Sequence, residues 1–239
     1  MKQRLDSYVL QKQYARTRSQ AENLIKLGNV EVNGTVIKKS GYQVSQADKV
    51  RVHKSQQYVS RAALKLESAM RAHPIDFSKK TVLDVGSSTG GFTDYVLQHG
   101  AQKVIAVDVG SNQLHPSLRQ DPRIDLHEKT DIRDFKSNLK VDIALIDVSF
   151  ISILKIIKAV RRLSQPDTIV IAMVKPQFEA DGPDQLNNGV VKNSRYRRAI
   201  LQNFERKIKD YCRIISAVDS AVPGEKGNVE RFYTLKFIR

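Results

Sequence analysis

Apolar residues along this chain recur with two periods, and the change from one to the other marks out its elements. From residue 81 onward, short apolar runs at 81–85, 103–109, 124–127, 141–148, 168–174, 213–221 and 231–238 predict strands. Apolar positions at helical spacing predict helices over 91–99, 112–120, 151–163 and 194–210. Strand alternating with helix implies an α/β fold, with a Rossmann-like, mostly parallel sheet of seven strands covered on both faces. No helix pattern separates the last two strands, so the final one is expected to join antiparallel, as a hairpin partner.

Before residue 60 the pattern is shorter in scale. Leu5, Val9 and Leu10 predict a short helix, and Thr17 or Ser19 starts a second one through Ala21, Leu24, Ile25 and Leu27, stopped by Gly28. Val30 to Val32 run into an Asn33-Gly34 turn, Thr35-Val36-Ile37 return, and Lys49 to Val52 form a further alternating strand. Polar residues 53–57 read as a linker. The expected organisation is a small α+β domain over 1–57, linker included, and a second domain over 58–239 that opens with a helix from Ser60 to Ala72.

Charge adds a partner to this picture. The 239 residues hold 40 Lys and Arg against 25 Asp and Glu, a net charge of +15. Residues 1–57 alone hold 11 Lys and Arg against 4 Asp and Glu. Such an excess points to a polyanion, nucleic acid before membrane. Asp142 and Asp147 interrupt the richest apolar run, so no segment reads as a membrane span. The first six residues lack the apolar core of a secretory signal, and the single cysteine, Cys212, excludes an internal disulfide and a cysteine-based zinc site. A cytoplasmic protein that needs no metal is expected.

The strand at 81–85 runs into Gly86-Ser87-Ser88-Thr89-Gly90-Gly91-Phe92, a glycine-rich turn that opens a helix. Strand, glycine loop and helix form a crevice for a nucleotide-like ligand. Asp84 stands just before the first glycine, where a carboxylate repels a pyrophosphate. It suits a ligand with a cationic amino-acid end, such as S-adenosylmethionine, and makes a dinucleotide dehydrogenase the poorer reading. Asp108 ends the second strand about twenty residues past the loop, where a carboxylate accepts ribose hydroxyls; a plain turn residue is the alternative.

Asp147 and Lys175 fall at the ends of the fourth and fifth strands, where doubly wound sheets keep their active sites. No Asn or Asp precedes a Pro-Pro-Tyr/Phe motif, which would suit base-nitrogen methylation, and one cysteine cannot supply the pair that pyrimidine-carbon methylation uses. An oxygen acceptor is the better choice. A ribose hydroxyl is a weak acid and needs a base within hydrogen-bond reach; lysine serves where desolvation or a second cation lowers its pKa.

Residues 81 to 175 resemble the class I S-adenosylmethionine-dependent methyltransferases. The resemblance places Asp84, Gly86, Ser87, Ser88, Thr89, Gly90, Gly91, Phe92 and Asp108 at the cofactor and Asp131 at its adenine amino group, with a helix N-cap as the competing role for Asp131. Ribose 2′-O-methyltransferases of the FtsJ type use a Lys-Asp-Lys-Glu tetrad, which falls here on Lys65, Asp147, Lys175 and Glu230. Lys175 is then the base and Asp147 its orienter, while Lys65 and Glu230 position the ribose. Spacing alone leaves Lys65 as an exposed helix lysine and Glu230 as a surface carboxylate.

Arg4-Leu5-Asp6, Ala15 to Ala21 and Gly28 to Gly34 resemble the RNA-binding module first seen in ribosomal protein S-four. Arg16, Arg18 and Lys26 can share one flank that, with Arg4, tracks phosphates. Arg195, Arg197 and Arg198 form a second basic patch, with a solvated helix start as the alternative. The two-part order resembles the TlyA (hemolysin A) family. That resemblance implies 2′-O-methylation of a cytidine in rRNA or a ribosomal subunit, and the short termini suit the form restricted to the large-subunit site. Two rival classes remain at this point, a membrane-active hemolysin-like protein and a non-catalytic RNA-binding assembly factor.

Overall fold

The computed structural model describes residues 2–15, 17–26, 28–52, 58–182, 186–224 and 227–238. The chain divides into two compact units, residues 1–61 and 62–239. The linker expected at 53–57 lies outside the described residues.

In the first unit, helices α1 (Leu5–Gln11) and α2 (Arg18–Lys26) bury Leu5, Val9, Ala21, Leu24 and Ile25 against β2 (Val30–Val32), which turns Val30 and Val32 inward. Asn33 and Gly34 both take the left-handed backbone (φ 52° and 82°) that a tight hairpin requires. They return the chain into β3 (Thr35–Val36), and β5 (Val50–Val52) pairs with the other side of β2. Two short strands that the pattern did not predict, β1 (Gln3–Arg4) and β4 (Gln43–Val44), pair antiparallel. A two-residue strand is too short to show a period.

Helix α3 (Arg61–Ala72) begins at the boundary, and the second unit is built on a seven-stranded sheet. Its strands are β6 (Thr81–Val85), β7 (Lys103–Val107), β8 (Ile124–His127), β9 (Val141–Ile146), β10 (Ser164–Val174), β11 (Cys212–Asp219) and β12 (Arg231–Phe237), in the order β11-β12-β10-β9-β6-β7-β8. The chain runs outward from β6 through β7 to β8, then returns to the other side of β6 for β9 and β10. The switch point therefore lies between β6 and β9, and their carboxyl ends flank a crevice. The last strand joins antiparallel, as the pattern predicts, but it lies between β10 and β11 and pairs with both.

Helices α4 (Gly91–Gln98), α6 (Ile157–Leu163) and α8 (Ser194–Ile208) cover the sheet, and Leu83, Ile146, Val160, Val170, Phe204 and Tyr233 share one buried core. The helix expected over 112–120 shrinks to α5 (Pro116–Arg119). Asn112 has a left-handed φ of 57°, Pro116 fixes the first helical position, and His115 caps it by accepting from the Ser117 amide. The helix expected over 151–163 is broken by a single 3-10 turn, Ile153–Lys155, capped by Ser152. After β10, the short α7 (Pro176–Glu179) had no periodic signal, since it is one turn long.

Candidate active site

The crevice between β6 and β9 continues as a cavity of about 420 Å³ lined by Gly86, Ser88, Asp108, Gln113, Asp131, Asp147 and Phe150, among others. Gly86 is required by geometry. Its φ is +84°, and a Cβ there would stand 2.5 Å from the carbonyl oxygen of Asp147 on the neighbouring strand. Asp108 accepts from the Ser88 amide at 2.8 Å and the Gly110 amide at 2.7 Å, one on each oxygen, and each oxygen keeps a further lone pair. Asp131 accepts from the backbone and guanidinium of Arg133, at 2.8 Å and 2.6 Å, which lowers its pKa, and its carbonyl oxygen receives the amides of Asp134 and Phe135. It caps a turn as well as lining the cavity.

The other expected cofactor positions do not line this cavity. Gly90 (φ +89°) makes room for packing: a Cβ there would meet the Leu118 and Leu114 side chains at 2.5 and 2.6 Å. Gly91 is buried at the start of α4, Phe92 is buried against Phe232 with ring centroids 6.1 Å apart, and the Thr89 carbonyl accepts the His115 amide. Of the glycine loop only Gly86 and Ser88 line the cavity, and its second half is joined to the α4–α5 packing.

Asp84 is fully buried one residue before the end of β6. Thr93 Oγ1 donates to its Oδ2 at 2.6 Å. Burial, reinforced by the nearby Asp147 and Asp108 charges and opposed by the Thr93 bond, pushes its pKa up to about 7. Asp84 Oδ1, Ser87 Oγ and Asp147 Oδ1 are buried without an aligned hydrogen-bond partner among the described residues. Asp147 Oδ1 is met by Lys175 Nζ at 2.7 Å, so Asp84 Oδ1 and Ser87 Oγ are the buried groups left for a polar or cationic ligand from outside the chain. An α-ammonium group fits that need.

Asp147 follows β9 and Lys175 follows β10. Lys175 Nζ stands 2.7 Å from Asp147 Oδ1, an ion-pair contact without hydrogen-bond alignment, and donates to Ser149 Oγ at 2.8 Å. Both side chains are mostly buried, 13% and 17% exposed. Lys65 on α3 donates to Glu230 Oε1 at 2.7 Å, and these side chains are 12% and 4% exposed. Lys65 is therefore not a surface lysine, nor Glu230 a surface carboxylate. The register pairs Val174 with Arg231, so the antiparallel β12 brings Glu230 to the sheet edge where Lys175 lies. Two ion pairs, drawn from four distant stretches of sequence, thus occupy the carboxyl edge of the parallel strands.

Several basic residues expected on RNA are engaged within the chain. Asp6 is fully buried, its pKa lowered to about 2 chiefly by Arg4, and its carboxylate holds Arg4 at 2.6 Å and Arg18 at 3.3 Å. Glu22 stands between Arg18 and Lys26 on α2, 3.7 and 4.0 Å from them, so the shared flank is partly neutralised. Arg197 pairs with Asp219 at 2.7 Å and donates to the Val229 carbonyl at 3.2 Å, beside Glu230. Arg195 and Arg198 are exposed, and Arg16 lies outside the described residues.

Sequence reasoning missed Gln113, Phe150 and Glu179. Gln113 is held over the cavity because the Glu128 carboxylate accepts its amide at 3.0 Å. Phe150 has a left-handed φ of 65° and is 91% exposed, with its ring 5.1 Å from that of Phe178. An aromatic residue at a strand end reads as core, and no local pattern marks it as exposed.

The sheet order, the glycine loop at the switch point and the paired charges at the strand ends define an α/β enzyme of methyltransferase type. The chain belongs to the FtsJ-like methyltransferase family, whose pattern matches residues 58–237, and residues 3–50 match the S4 domain. It is 38% identical over 241 residues to Hemolysin A of Brachyspira hyodysenteriae, covering 98% of this chain and 99% of that one. It is 35% identical to the 16S/23S rRNA (cytidine-2'-O)-methyltransferase TlyA of Mycobacterium tuberculosis, covering 98% and 89%. A solved structure described as a hemolysin from Streptococcus thermophilus superposes with a TM-score of 0.75 at 34% identity, covering 99% of this chain and 88% of that one. No helix among the described residues is long and apolar enough to cross a membrane, and no group of His, Cys, Asp and Glu among them could hold a metal ion.

Proposed function

We propose that this chain methylates the ribose 2′-hydroxyl of a cytidine in rRNA, at a large-subunit site, with S-adenosylmethionine as donor. The observation that carries the reading is the Lys175–Asp147 pair beside Gly86, with Lys65–Glu230 at the same sheet edge. When bound, S-adenosylmethionine supplies a methyl group on a positively charged sulfur. Asp84 and Ser87 would hold its amino-acid end, and Asp108 its ribose.

To act as base Lys175 must enter as the free amine, its ammonium proton first lost to solvent; Nζ would then take the 2′-hydroxyl proton as the oxygen bonds to the methyl carbon, the sulfur–carbon bond breaks and a neutral thioether leaves. Asp147, 2.7 Å away, stabilises the ammonium that results. Lys65 and Glu230 position the ribose, and alignment of this kind supplies much of the rate. The exposed Phe150 ring at the cavity mouth offers a stacking face for a base turned out of its helix. The S4-type unit and the exposed Arg195 and Arg198 contact phosphates. Relatives whose names include 23S rRNA support the large-subunit site.

Mapping ribose methylation in rRNA by mass spectrometry, from cells with and without the gene, tests this reading. Loss of one 2′-O-methylcytidine from large-subunit rRNA is expected. An unchanged map would remove the proposal, and purified chain that binds rRNA but not the donor would favour a non-catalytic assembly factor.

A further inference from the structure

The segment from Asp147 to Ile153 leaves β9 and carries both groups that touch the Lys175 ammonium, Asp147 and Ser149. Val148 and Ile151 pack half-buried against the core, but Phe150 between them is exposed and sits in a left-handed conformation uncommon for an aromatic residue. Such a conformation persists only where its surroundings impose it.

The chain that follows β10 imposes it. Pro176 starts a single helical turn, with Lys175 before it in an extended conformation (φ −101°, ψ 106°) and Glu179 at its end. Lys175 reaches Ser149. Glu179 accepts from Ser152 Oγ at 2.5 Å and from the Ile153 amide at 2.8 Å. Phe178, between them in sequence, meets the Phe150 ring.

The Glu179 carboxylate is largely buried, and burial raises its pKa against the pull of its two donors. A buried carboxylate is a costly way to cap a turn, and the 3-10 turn at Ile153 already has a cap in Ser152, whose Oγ accepts from the Leu154 amide at 3.2 Å. Its contacts are instead distributed so as to join the exits of β9 and β10.

We propose that Glu179 is a positioning residue for methyl transfer: its carboxylate latches the loop after β9 to the turn after β10 and keeps Asp147 and Ser149 in register with Lys175. The inference rests on the reading of Lys175 as the base.

The test uses the full chain with Glu179→Gln and Ser152→Ala, which remove part of the latch, and Asp181→Asn, an exposed neighbour, as control. Steady-state transfer to large ribosomal subunits is measured together with donor affinity. Acetic anhydride labelling of Lys175 is followed by mass spectrometry. Glu179→Gln should lower kcat by roughly tenfold or more, leave the donor Kd and the KM for subunits within about twofold, and speed labelling of Lys175 but not of exposed lysines. The double variant with Ser152→Ala should be no worse than Glu179→Gln alone. Unchanged Lys175 labelling, or a kcat equal to that of wild type, overturns the latch. Absent transfer by wild type with faster Lys175 labelling in Glu179→Gln would instead uphold the latch and remove the assignment of the base.

Discussion

Replacing Asp84 with Asn tests whether the crevice recognises the cationic end of the proposed donor. In the ligand-free chain the buried carboxyl has its pKa raised to about 7 from 3.8. The sign follows from linkage: the neutral form is favoured in the folded state, so its contribution to stability is full below pH 3.8 and is lost as pH rises through about 7. A shift of roughly three units corresponds to about 4 kcal/mol in total, of which between about 1 and 2 kcal/mol is lost between pH 5.5 and 7. A donor whose ammonium needs the ionised carboxylate must bind more tightly as that group ionises. Affinity should rise between about fivefold and thirtyfold from pH 5.5 to 7, a window below the titration of an α-amino group. Calorimetric titration of S-adenosylmethionine at several pH values, in two buffers of different ionisation enthalpy, measures both the affinity and the proton released. Asp84→Asn keeps an acceptor for Thr93 Oγ1, removes the titration, weakens binding at pH 7 and flattens its pH dependence. A wild-type affinity independent of pH, or an Asn variant that follows wild type, would refute the reasoning.

Lys65→Ala leaves Glu230 buried without its partner and should destabilise the chain by about 3 kcal/mol. The double variant Lys65→Met, Glu230→Leu should regain most of that in thermal unfolding yet stay inactive, which separates stability from chemistry. Phe150→Ala should lower kcat/KM for ribosomal subunits by roughly tenfold, since stacking on one base contributes about 1–3 kcal/mol, with Tm and donor affinity nearly unchanged. Asp6→Asn removes the carboxylate that fixes Arg4 and Arg18 in place; although net charge rises by one, the two guanidinium groups lose their set position, and weaker rRNA binding with donor affinity intact is expected by filter binding and calorimetry. Asp6 has its pKa lowered, so its contribution is present above about pH 4 and falls away as pH drops toward 2.

The parallel core was legible because strands buried on both faces read as continuous apolar runs, as at Val104 to Val107 and Ile143 to Ile146. Asn33-Gly34 was legible because few residues adopt its backbone. Strand ends were visible too, since a charge after an apolar run, as at Asp108, Asp147 and Lys175, marks where the chain leaves the sheet. What stayed hidden depends on distant partners. Gly86 and Gly90 look alike in sequence, yet one faces a strand across the crevice and the other faces Leu114 and Leu118. Arg4 and Arg18 read as free charges until Asp6 is seen between them. The burial of Glu230 follows from β12 inserting between β10 and β11, which no local pattern in the chain announces.

The most direct test of the central claim is methyl transfer from labelled S-adenosylmethionine to large ribosomal subunits lacking the modification, by the wild-type chain and by Lys175→Ala at equal donor occupancy. Wild type should place label on one cytidine ribose, and Lys175→Ala should bind the donor within a few-fold of wild type and transfer none. Transfer by Lys175→Ala at the wild-type rate, or label on a base rather than a ribose, would contradict the account.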